Sequence, residues 1–304
     1  MQVIEVTRFG GPDVLHLAER PEPQPTPDEV VVRVAAANVN PTDLGARMGQ
    51  IPGAGPQPPF VLGWDLAGTV TAVGKNVRDL KTGQRVVGMI PWYTTQGTVG
   101  AYATSVAIRA EWLVPLPEGF DEALAATVPL NALTAQQALG LLQLPARASL
   151  LITGASGAVG SFAVQLAVRA GHRVAALAGR DDEEWVRSLG AEEVLSRSTD
   201  LSRIEPRPFV LDAVPLGEAA LQAVRDGGAV VTTRPVPVAP AERHIRQEAV
   251  LIRADRAALE SLVRDVARGV LKTRVARVLP LAQAAEAHRR AEAGGLHGKI
   301  VLAP

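Results

Sequence analysis

A glycine-rich stretch in the middle of the chain follows an apolar run and leads into an apolar helical pattern. The run is Ser149–Thr153, the stretch is residues 154–160, and the helical pattern is Val159–Ala170. A second apolar run, Arg173–Ala178, lies within the ~30 residues that a strand–helix–strand unit occupies. Glycines at such a turn allow a tight bend and a close approach of the backbone to a pyrophosphate. The pattern predicts a βαβ unit that binds a dinucleotide, although many strand–helix turns carry glycine for steric reasons alone.

The glycine stretch departs from the usual G-x-G-x-x-G pattern at its first position. Ala155 stands where the first glycine is expected, Gly157 and Gly160 hold the other two positions, and Gly154 precedes the turn. We expect the pyrophosphate at the N-terminus of the following helix, because free N–H groups and the helix dipole favour negative charge there. The predicted phosphate-binding loop consists of Gly154, Ala155, Ser156, Gly157, Ala158, Val159 and Gly160.

The end of the second predicted strand bears on which dinucleotide is bound. An acidic residue there would bind the ribose 2′-OH of NAD, but the sequence reads Ala178-Gly179-Arg180. A neutral end followed by an arginine suits a 2′-phosphate, because a guanidinium matches phosphate geometry. Gly179 and Arg180 therefore predict NADPH rather than NADH. The alternative is that Arg180 is a solvated charge that pairs with Asp181 or Asp182.

The chain changes character near residue 120. Before it, apolar runs bounded by Gly and Pro predict strands, among them Val30–Ala37, Leu66–Val73 and Gln84–Met89, and the Gly/Pro-rich Ile51–Pro59 predicts a loop. After it, strands alternate with helices, which favours a parallel sheet with crossover helices. We predict an α/β protein in which a Rossmann doubly wound parallel sheet (residues 120–255) accompanies a β-rich domain (residues 1–119 and 256–304).

Composition excludes several classes of protein and site. The chain has no cysteine, so it has no disulfide and no thiolate nucleophile or metal ligand. Lys+Arg and Asp+Glu both number 31, and this balance gives no indication of a nucleic-acid partner. No apolar run approaches the ~20 residues needed to cross a membrane, and the N-terminus alternates like a strand rather than a signal peptide. We expect a cytoplasmic protein with a small-molecule partner and neither nucleic acid nor membrane.

Spaced motifs extend from the β-rich part to the C-terminal tail. They are Asn38-Val39-Asn40-Pro41-Thr42-Asp43, Gly63-Trp64-Asp65-Leu66-Ala67-Gly68, Gly83-Gln84-Arg85-Val86, Ala132-Leu133-Thr134-Ala135, the glycine loop, and Gly298-Lys299-Ile300-Val301-Leu302. In this order they resemble the zinc-free quinone oxidoreductases of the medium-chain dehydrogenase/reductase superfamily, over nearly the whole chain. The resemblance implies a GroES-like catalytic domain beside the Rossmann domain, an active site in the cleft between them, and a homodimer. It also implies hydride transfer from NADPH to a quinone or an α,β-unsaturated carbonyl.

The resemblance also bears on zinc. Relatives that use zinc carry Cys and His ligands, and their Gly-His-Glu element reads Gly63-Trp64-Asp65 here. The histidines stand at positions 16, 172, 244, 288 and 297 and form no evident ligand cluster. His288 lies on a predicted tail helix and is interpreted as a packing or surface residue. We therefore expect no zinc.

Three residues near the cofactor are carried over from the resembled family. The family places Asn40 and Thr134 near the nicotinamide, and Arg197 aligns where a tyrosine packs on the adenine, so Arg197 is expected to stack there or to reach the phosphate. Asn40 and Thr134 each have an ordinary alternative role. Asn40 suits a turn before Pro41, and a helical Thr134 hydroxyl can bond to its own backbone.

The proton donor is where this sequence departs from the family. Several quinone reductases of this type have a tyrosine at the position of Gly45, so we predict Tyr93 as the substitute, although a solvent proton would suffice for a quinone. Trp64, Trp92 and Tyr93 are predicted to line an aromatic pocket for a flat substrate, with ordinary burial as the alternative. The leading hypothesis is a zinc-independent, NADPH-dependent quinone or enone reductase. An enoyl-thioester reductase and a weakly catalytic NADPH-binding redox sensor remain alternatives.

Overall fold

The computed structural model describes residues 1–50 and 55–304, so residues 51–54 of the predicted Gly/Pro-rich loop lie outside the described residues. The chain divides into two compact units. The first consists of Met1–Leu130, Arg253–Val270 and Arg274–Pro304, and the second of Asn131–Ile252 and Leu271–Thr273. Among the described residues, no helix is long and apolar enough to cross a membrane.

The regular elements follow one another in this order along the chain. The strands are β1 Gln2–Val6, β2 Leu15–Glu19, β3 Glu29–Asn38, β4 Phe60–Val61, β5 Asp65–Val73, β6 Arg85–Met89, β7 Ser105–Arg109, β8 Leu113–Pro115, β9 Ser149–Thr153, β10 Arg173–Ala178, β11 Glu193–Ser196, β12 Arg207–Asp212, β13 Val224–Thr232, β14 Arg246–Ala249, β15 Val275–Pro280 and β16 Lys299–Ala303. The helices are α1 Pro41–Arg47, α2 Glu122–Ala126, α3 Pro129–Leu142, α4 Ala158–Arg169, α5 Glu183–Ser188, α6 Glu218–Gln222, α7 Arg256–Ala267 and α8 Ala284–Ala293.

The first unit contains two β-sheets. A three-stranded sheet has the order β2-β1-β4, and a seven-stranded sheet has the order β15-β16-β3-β5-β6-β8, with β7 also paired to β3. β3 is dense in valine because both of its edges are paired and most of its side chains are buried, including Val30 and Val32. The C-terminal strand β16 pairs antiparallel with β3, and its residues Ile300, Val301 and Leu302, directly after Lys299, are buried in the core of this unit.

The second unit contains one six-stranded parallel sheet. Its strand order is β11-β10-β9-β12-β13-β14, and every neighbouring pair is parallel. Numbered along the chain, this is the 3-2-1-4-5-6 order of the Rossmann fold, with the order reversing between β9 and β12. Apolar side chains of the central strands form the core, among them Leu151 and Val210. The predicted doubly wound fold is confirmed.

The predicted element bounds agree best in the second unit. β9 and β10 begin and end where the apolar runs do, and α4 is offset by one residue at each end. Helix α1 was not predicted because it is short and contains Gly45, a poor helix former. Asn40 at its N-cap and Pro41 at its first position are both favoured at helix starts and were the available signal.

Candidate active site

The glycine loop makes its tight turn one residue earlier than the sequence pattern suggested. Gly154 adopts the left-handed backbone conformation, with φ of 58°. Ala155 is fully buried and donates its N–H to the carbonyl oxygen of Leu177 at 3.1 Å. An alanine is therefore accommodated at position 155, because the residue that needs positive φ is Gly154.

The start of helix α4 packs directly on this turn. A Cβ on Gly160 would lie 2.2 Å from the carbonyl oxygen of Gly154, so only glycine fits there. Gly157 is the N-cap of the helix. The first N–H groups of an α-helix have no acceptor within the helix and can bind an anion. A small-residue turn beside a helix N-terminus thus fits the pyrophosphate of a dinucleotide.

An arginine lies across the end of strand β10. A methyl group built on Gly179 would lie 2.8 Å from Nη2 of Arg197, and the Arg197 N–H donates to the Ala178 carbonyl oxygen at 2.7 Å. Arg180 is exposed at the start of a 3-10 turn, Arg180–Asp182. The structure therefore brings two guanidinium-bearing residues to the strand end that selects the ribose substituent in this fold. Thr134 is buried on α3 in the same unit.

In the first unit, Asn40 is the centre of a buried hydrogen-bond network. Its Nδ2 donates to Oδ2 of Asp65 at 2.8 Å, and its Oδ1 accepts from Nδ2 of Asn38 at 3.0 Å and from Nζ of Lys299 at 2.9 Å. Asn38 also donates to Asp65 Oδ2 at 3.0 Å. Asn38, Asn40 and Asp65 are all buried. The Asn40 amide thus links a carboxylate to an ammonium group.

Two carboxylates and one amine share this network, and burial dominates the pKa of each. Burial raises the pKa of Asp65 to about 6, although the hydrogen bonds it accepts favour the ionised form. Burial raises the pKa of Asp43 to about 8, against hydrogen bonds from the N–H groups of Asn40 at 2.8 Å and Gly63 at 3.0 Å. Burial lowers the pKa of Lys299 to about 8, opposed by the two carboxylates.

The three aromatic residues predicted to line a substrate pocket contact one another, and they differ in exposure. Trp64 and Trp92 are 1% and 0% exposed, and their ring centroids lie 4.6 Å apart. Tyr93 packs edge-on against both rings at 5.6 Å and is 38% exposed. Its hydroxyl lies 3.2 Å from Oγ1 of Thr42. The burial of the two tryptophans fits the alternative of ordinary core packing, and Tyr93 is the member with an accessible surface.

A second buried polar group joins helix α1 to helix α8. Nη1 of Arg47 lies 3.5 Å from Nδ1 of His288, whose Nε2 lies 3.3 Å from the hydroxyl of Tyr102, and Arg47 also pairs with Glu292. Burial and, to a smaller extent, the neighbouring Arg47 charge together lower the pKa of His288 to about 3, so the imidazole is neutral at pH 7. The interpretation of His288 as a packing residue agrees with this burial.

Four residues of the Asn40 network were assigned no function from the sequence: Asn38, Asp43, Asp65 and Lys299. Each lies inside a recognised motif, but Asp65 and Lys299 reach Asn40 from positions 25 and 259 residues away along the chain. The available signal was an ionisable residue next to a strongly apolar run, since Asp65 begins β5 and Lys299 begins β16. Such residues, when buried, are paired.

The region of the Gly63-Trp64-Asp65 element does not fit a zinc site. Trp64 offers no metal ligand, and the Asp65 oxygens accept hydrogen bonds from two asparagine amides and, at 2.7 Å, from the Leu130 N–H. Across residues 1–50 and 55–304, no group of three or more His, Cys, Asp or Glu side chains is arranged to hold a metal ion.

Comparison with known proteins agrees with this fold. Residues 26–118 match the alcohol dehydrogenase GroES-like domain, and residues 189–302 match the zinc-binding dehydrogenase family. These matches and the two kinds of sheet place the chain in the medium-chain dehydrogenase/reductase superfamily. Within that superfamily, the chain belongs with the quinone and alkenal oxidoreductases, on the basis of the following similarities.

Three similar proteins cover almost all of this chain. The NADPH-dependent alkenal/one oxidoreductase of Arabidopsis thaliana chloroplasts is 31% identical over 97% of this chain and 78% of its own length. The chloroplastic quinone-oxidoreductase homolog of Spinacia oleracea is 31% identical over 100% of this chain and 98% of its own. The solved structure of the quinone oxidoreductase from Coxiella burnetii has a TM-score of 0.87 at 27% identity, covering 100% of this chain and 99% of that one.

Proposed function

We propose that this protein is an NADPH-dependent oxidoreductase that reduces quinones or α,β-unsaturated carbonyl compounds. The observation that carries the proposal is the glycine loop at the N-terminus of α4 together with Arg197 lying across Gly179. The first feature suits a pyrophosphate and the second suits a 2′-phosphate. The named activities of the relatives from Arabidopsis thaliana and Spinacia oleracea support the choice of hydride acceptor.

The second unit supplies the residues that would hold the dinucleotide. The N–H groups of residues 158–160 would bind the pyrophosphate, and Arg180 and Arg197 would bind the 2′-phosphate. Thr134 is proposed near the nicotinamide on the basis of the family motif. When bound, NADPH supplies the hydride. What this chain contributes is orientation, because the turn at Gly154 and the contact at Gly160 fix the loop before ligand binds.

The first unit supplies groups suited to an enone oxygen. When the β-carbon of an enone receives a hydride, negative charge develops on the carbonyl oxygen, and a hydrogen-bond donor there stabilises it. We propose that the Tyr93 hydroxyl is this donor and that Thr42, 3.2 Å away, orients it. Trp64 and Trp92 pack edge-on against the Tyr93 ring and hold it in place. Asn40 holds the start of α1, and therefore Thr42, through its bonds to Asp65 and Lys299.

The reaction is proposed to be independent of zinc. Support comes from the donor set at the Gly63-Trp64-Asp65 element, where a buried indole replaces the ligand residue and the carboxylate is occupied by amide donors. A chain without cysteine also lacks the thiolates that zinc prefers. Activity should therefore survive prolonged dialysis against a chelator, and full loss of activity that zinc restores would disprove this part of the proposal.

The experiment that tests the function follows NADPH oxidation with a panel of acceptors in three classes: quinones, simple enones and enoyl thioesters. Turnover of quinones or enones supports the proposal. A strong preference for the thioesters would identify an enoyl-thioester reductase instead. Tight NADPH binding without turnover of any acceptor would favour the redox-sensor alternative.

The assembly and location of the protein are proposed by analogy. Family resemblance suggests a homodimer, and the composition suggests a cytoplasmic protein. Sedimentation equilibrium of the purified chain, with a formula mass of 31.9 kDa, distinguishes a dimer from a monomer directly.

A further inference from the structure

Two buried side chains connect the central strands of the second unit at the point where strand order reverses. Thr153 ends β9 and Asp212 ends β12, and the two residues are register partners in the parallel pair. Both are fully buried, and Thr153 Oγ1 donates to Asp212 Oδ1 at 2.5 Å. Ligands of doubly wound sheets bind outside the carboxyl ends of the strands at this reversal. The pair therefore lies directly beneath the predicted dinucleotide site.

The Asp212 carboxylate also accepts hydrogen bonds from backbone N–H groups of the segment that follows β12. Its Oδ2 accepts the Leu216 N–H at 2.8 Å, and the N–H groups of Val214 and Gly217 bond to the same carboxylate. Burial raises the pKa of Asp212, whereas these hydrogen bonds and the one from Thr153 favour its ionised form. A single carboxylate thus fixes residues 213–217, which would otherwise be an irregular connection to α6.

The fixed segment contacts the glycine loop through Val214. A Cβ built on Gly154 would lie 2.2 Å from Cγ2 of Val214, so the valine occupies the space that the glycine leaves open. Thr153, which bonds to Asp212, is the residue before Gly154 in the chain. Two interactions therefore connect the two loops. One is the hydrogen bond between the Thr153 hydroxyl and the Asp212 carboxylate, and the other is the contact between Val214 and Gly154.

Two aliphatic side chains on the segment remain accessible. Val214 is 45% exposed and Leu216 is 37% exposed. Exposed aliphatic surface beside a phosphate-binding loop suits the apolar faces of a dinucleotide, because ligand sites combine apolar walls with a few polar anchors. The glycine loop supplies the polar anchors and Val214 the adjoining wall.

We propose that Asp212 is a positioning residue that holds residues 213–217 against the glycine loop, so that Val214 forms an apolar wall of the dinucleotide site. The identity of the ligand rests on the proposed function, but the coupling of the two loops does not. Asp212 itself is not proposed to contact the dinucleotide. Its proposed role is to fix the position of residues 213–217 relative to the glycine loop, residues 154–160.

The test compares Asp212→Asn with Asp121→Asn. Asp121 also caps backbone N–H groups, accepting from Leu124 N–H at 2.8 Å at the start of α2, and is unrelated to the glycine loop. In ligand-free protein, Asp212→Asn is expected to speed hydrogen exchange in peptides covering both 213–217 and 154–160. It is also expected to weaken NADPH binding about tenfold, as expected when a charged hydrogen-bond acceptor is lost. Asp121→Asn should change neither quantity.

Two further variants test the hydrogen bond and the apolar wall separately. Thr153→Val removes one donor while keeping side-chain size, so it should show the same exchange pattern in milder form even if Asp212→Asn does not fold. Val214→Ala keeps the Asp212 hydrogen bonds, so it should weaken NADPH binding while speeding exchange at 213–217 less than Asp212→Asn does. Faster exchange confined to 213–217, with 154–160 and NADPH affinity unchanged in both Asp212→Asn and Thr153→Val, would overturn the proposal. Failure of every hydride acceptor would overturn the proposed function but would leave the exchange result standing.

Discussion

The Nδ2 atom of Asn40 lies 2.8 Å from Oδ2 of Asp65, and the Oδ1 atom of the same amide lies 2.9 Å from Nζ of Lys299. An amide presents a donor on one side and an acceptor on the other, so this pairing fixes its orientation. Asn40 is also the N-cap of α1. The relationship connects β5, β16 and the start of α1 through one buried side chain, and it leads to the first prediction.

Replacing Asn40 by aspartate keeps the size of the side chain but removes its donor and places a second carboxylate against Asp65. We expect Asn40→Asp to lower the free energy of unfolding by about 1–3 kcal/mol, the range for leaving a buried polar group without its partner. Urea denaturation at neutral pH measures this change.

An exposed pair of the same chemistry provides the control. Nδ2 of Asn76 donates to Oδ1 of Asp28 at 2.8 Å, and both residues are exposed to solvent. Asn76→Asp is expected to cost less than about 1 kcal/mol, since water replaces exposed hydrogen bonds. Equal losses in the two variants would contradict the structural role of the buried amide.

The raised pKa of Asp43, about 8 against an ordinary 3.8, predicts a pH dependence of stability. Between these two values the folded protein retains a proton that the unfolded chain has lost, so the free energy of unfolding falls as pH rises. The contribution is fully present below about pH 4 and is lost as pH approaches 8. Asp43→Asn should lack this component.

Urea denaturation of both proteins across this pH range isolates the effect. The difference in stability, wild type minus Asp43→Asn, should decrease steadily from pH 5 to pH 8. A difference that stays constant, or that increases, would show that the Asp43 pKa is not raised.

The arginine that lies across Gly179 predicts cofactor preference. Arg197→Ala should weaken NADPH binding by roughly tenfold or more and leave NADH binding nearly unchanged, because only NADPH carries the 2′-phosphate that a guanidinium binds. Arg180→Ala should act in the same direction. Fluorescence titration with each nucleotide measures both.

The matched control is Arg203→Ala, since Arg203 is an exposed arginine that pairs with Asp200 at 3.0 Å in the same unit. It should leave the NADPH/NADH ratio at the wild-type value. If Arg180→Ala and Arg197→Ala also leave that ratio unchanged, the assignment of the 2′-phosphate site is wrong.

The exposed phenol of Tyr93 predicts a difference between two substrate classes. Tyr93→Phe retains the ring that packs on Trp64 and Trp92 and removes only the hydroxyl. The kcat for enones should fall by at least about 100-fold, the lower end of the range for a lost proton donor. The kcat for quinones should fall much less, because hydroquinone oxygens take protons readily from water.

Thr42→Val provides a graded comparison, since it removes the partner of the Tyr93 hydroxyl and keeps the hydroxyl itself. Its effect on enone turnover should be smaller than that of Tyr93→Phe and in the same direction. Enone and quinone turnover that fall by equal factors in Tyr93→Phe would argue for a general packing role rather than a proton donor.

Gly160 and Gly140 offer a matched pair of helical glycines. Gly160→Ala should abolish NADPH binding or folding, because its Cβ would lie 2.2 Å from a backbone oxygen. Gly140, in α3, has open space around the position of a Cβ, and Gly140→Ala should raise stability by up to about 1 kcal/mol, since alanine is the better helix former. Thermal unfolding and nucleotide titration of both variants check this contrast.

The second unit could be predicted from sequence because its signals are local. An apolar run of strand length, a glycine turn and a helical apolar pattern each occupy a few residues, and the strand bounds at Ser149–Thr153 and Arg173–Ala178 follow from them. A parallel sheet with crossover helices then follows from the alternation of strands and helices, and the family resemblance supplies the Rossmann class.

The polar network of the first unit could not be predicted in the same way. Asn40 and Lys299 meet across most of the length of the chain, and Asp65 joins them from a third segment. No periodicity encodes such a meeting, because it depends on β16 pairing with β3. Trp64, Trp92 and Tyr93 contact one another, but the sequence could not predict that the two tryptophans are buried and Tyr93 is exposed, because packing sets these exposures.

The most direct test of hydride transfer by this protein is isotope transfer from NADPH that carries deuterium at nicotinamide C4. The protein is incubated with the labelled cofactor and an enone, and the product is examined by NMR. Hydride transfer from NADPH predicts deuterium at the β-carbon of the reduced product, with the α-hydrogen derived from solvent. A reduced product without deuterium from either C4 position, or no product from any enone or quinone, would contradict hydride transfer by this protein.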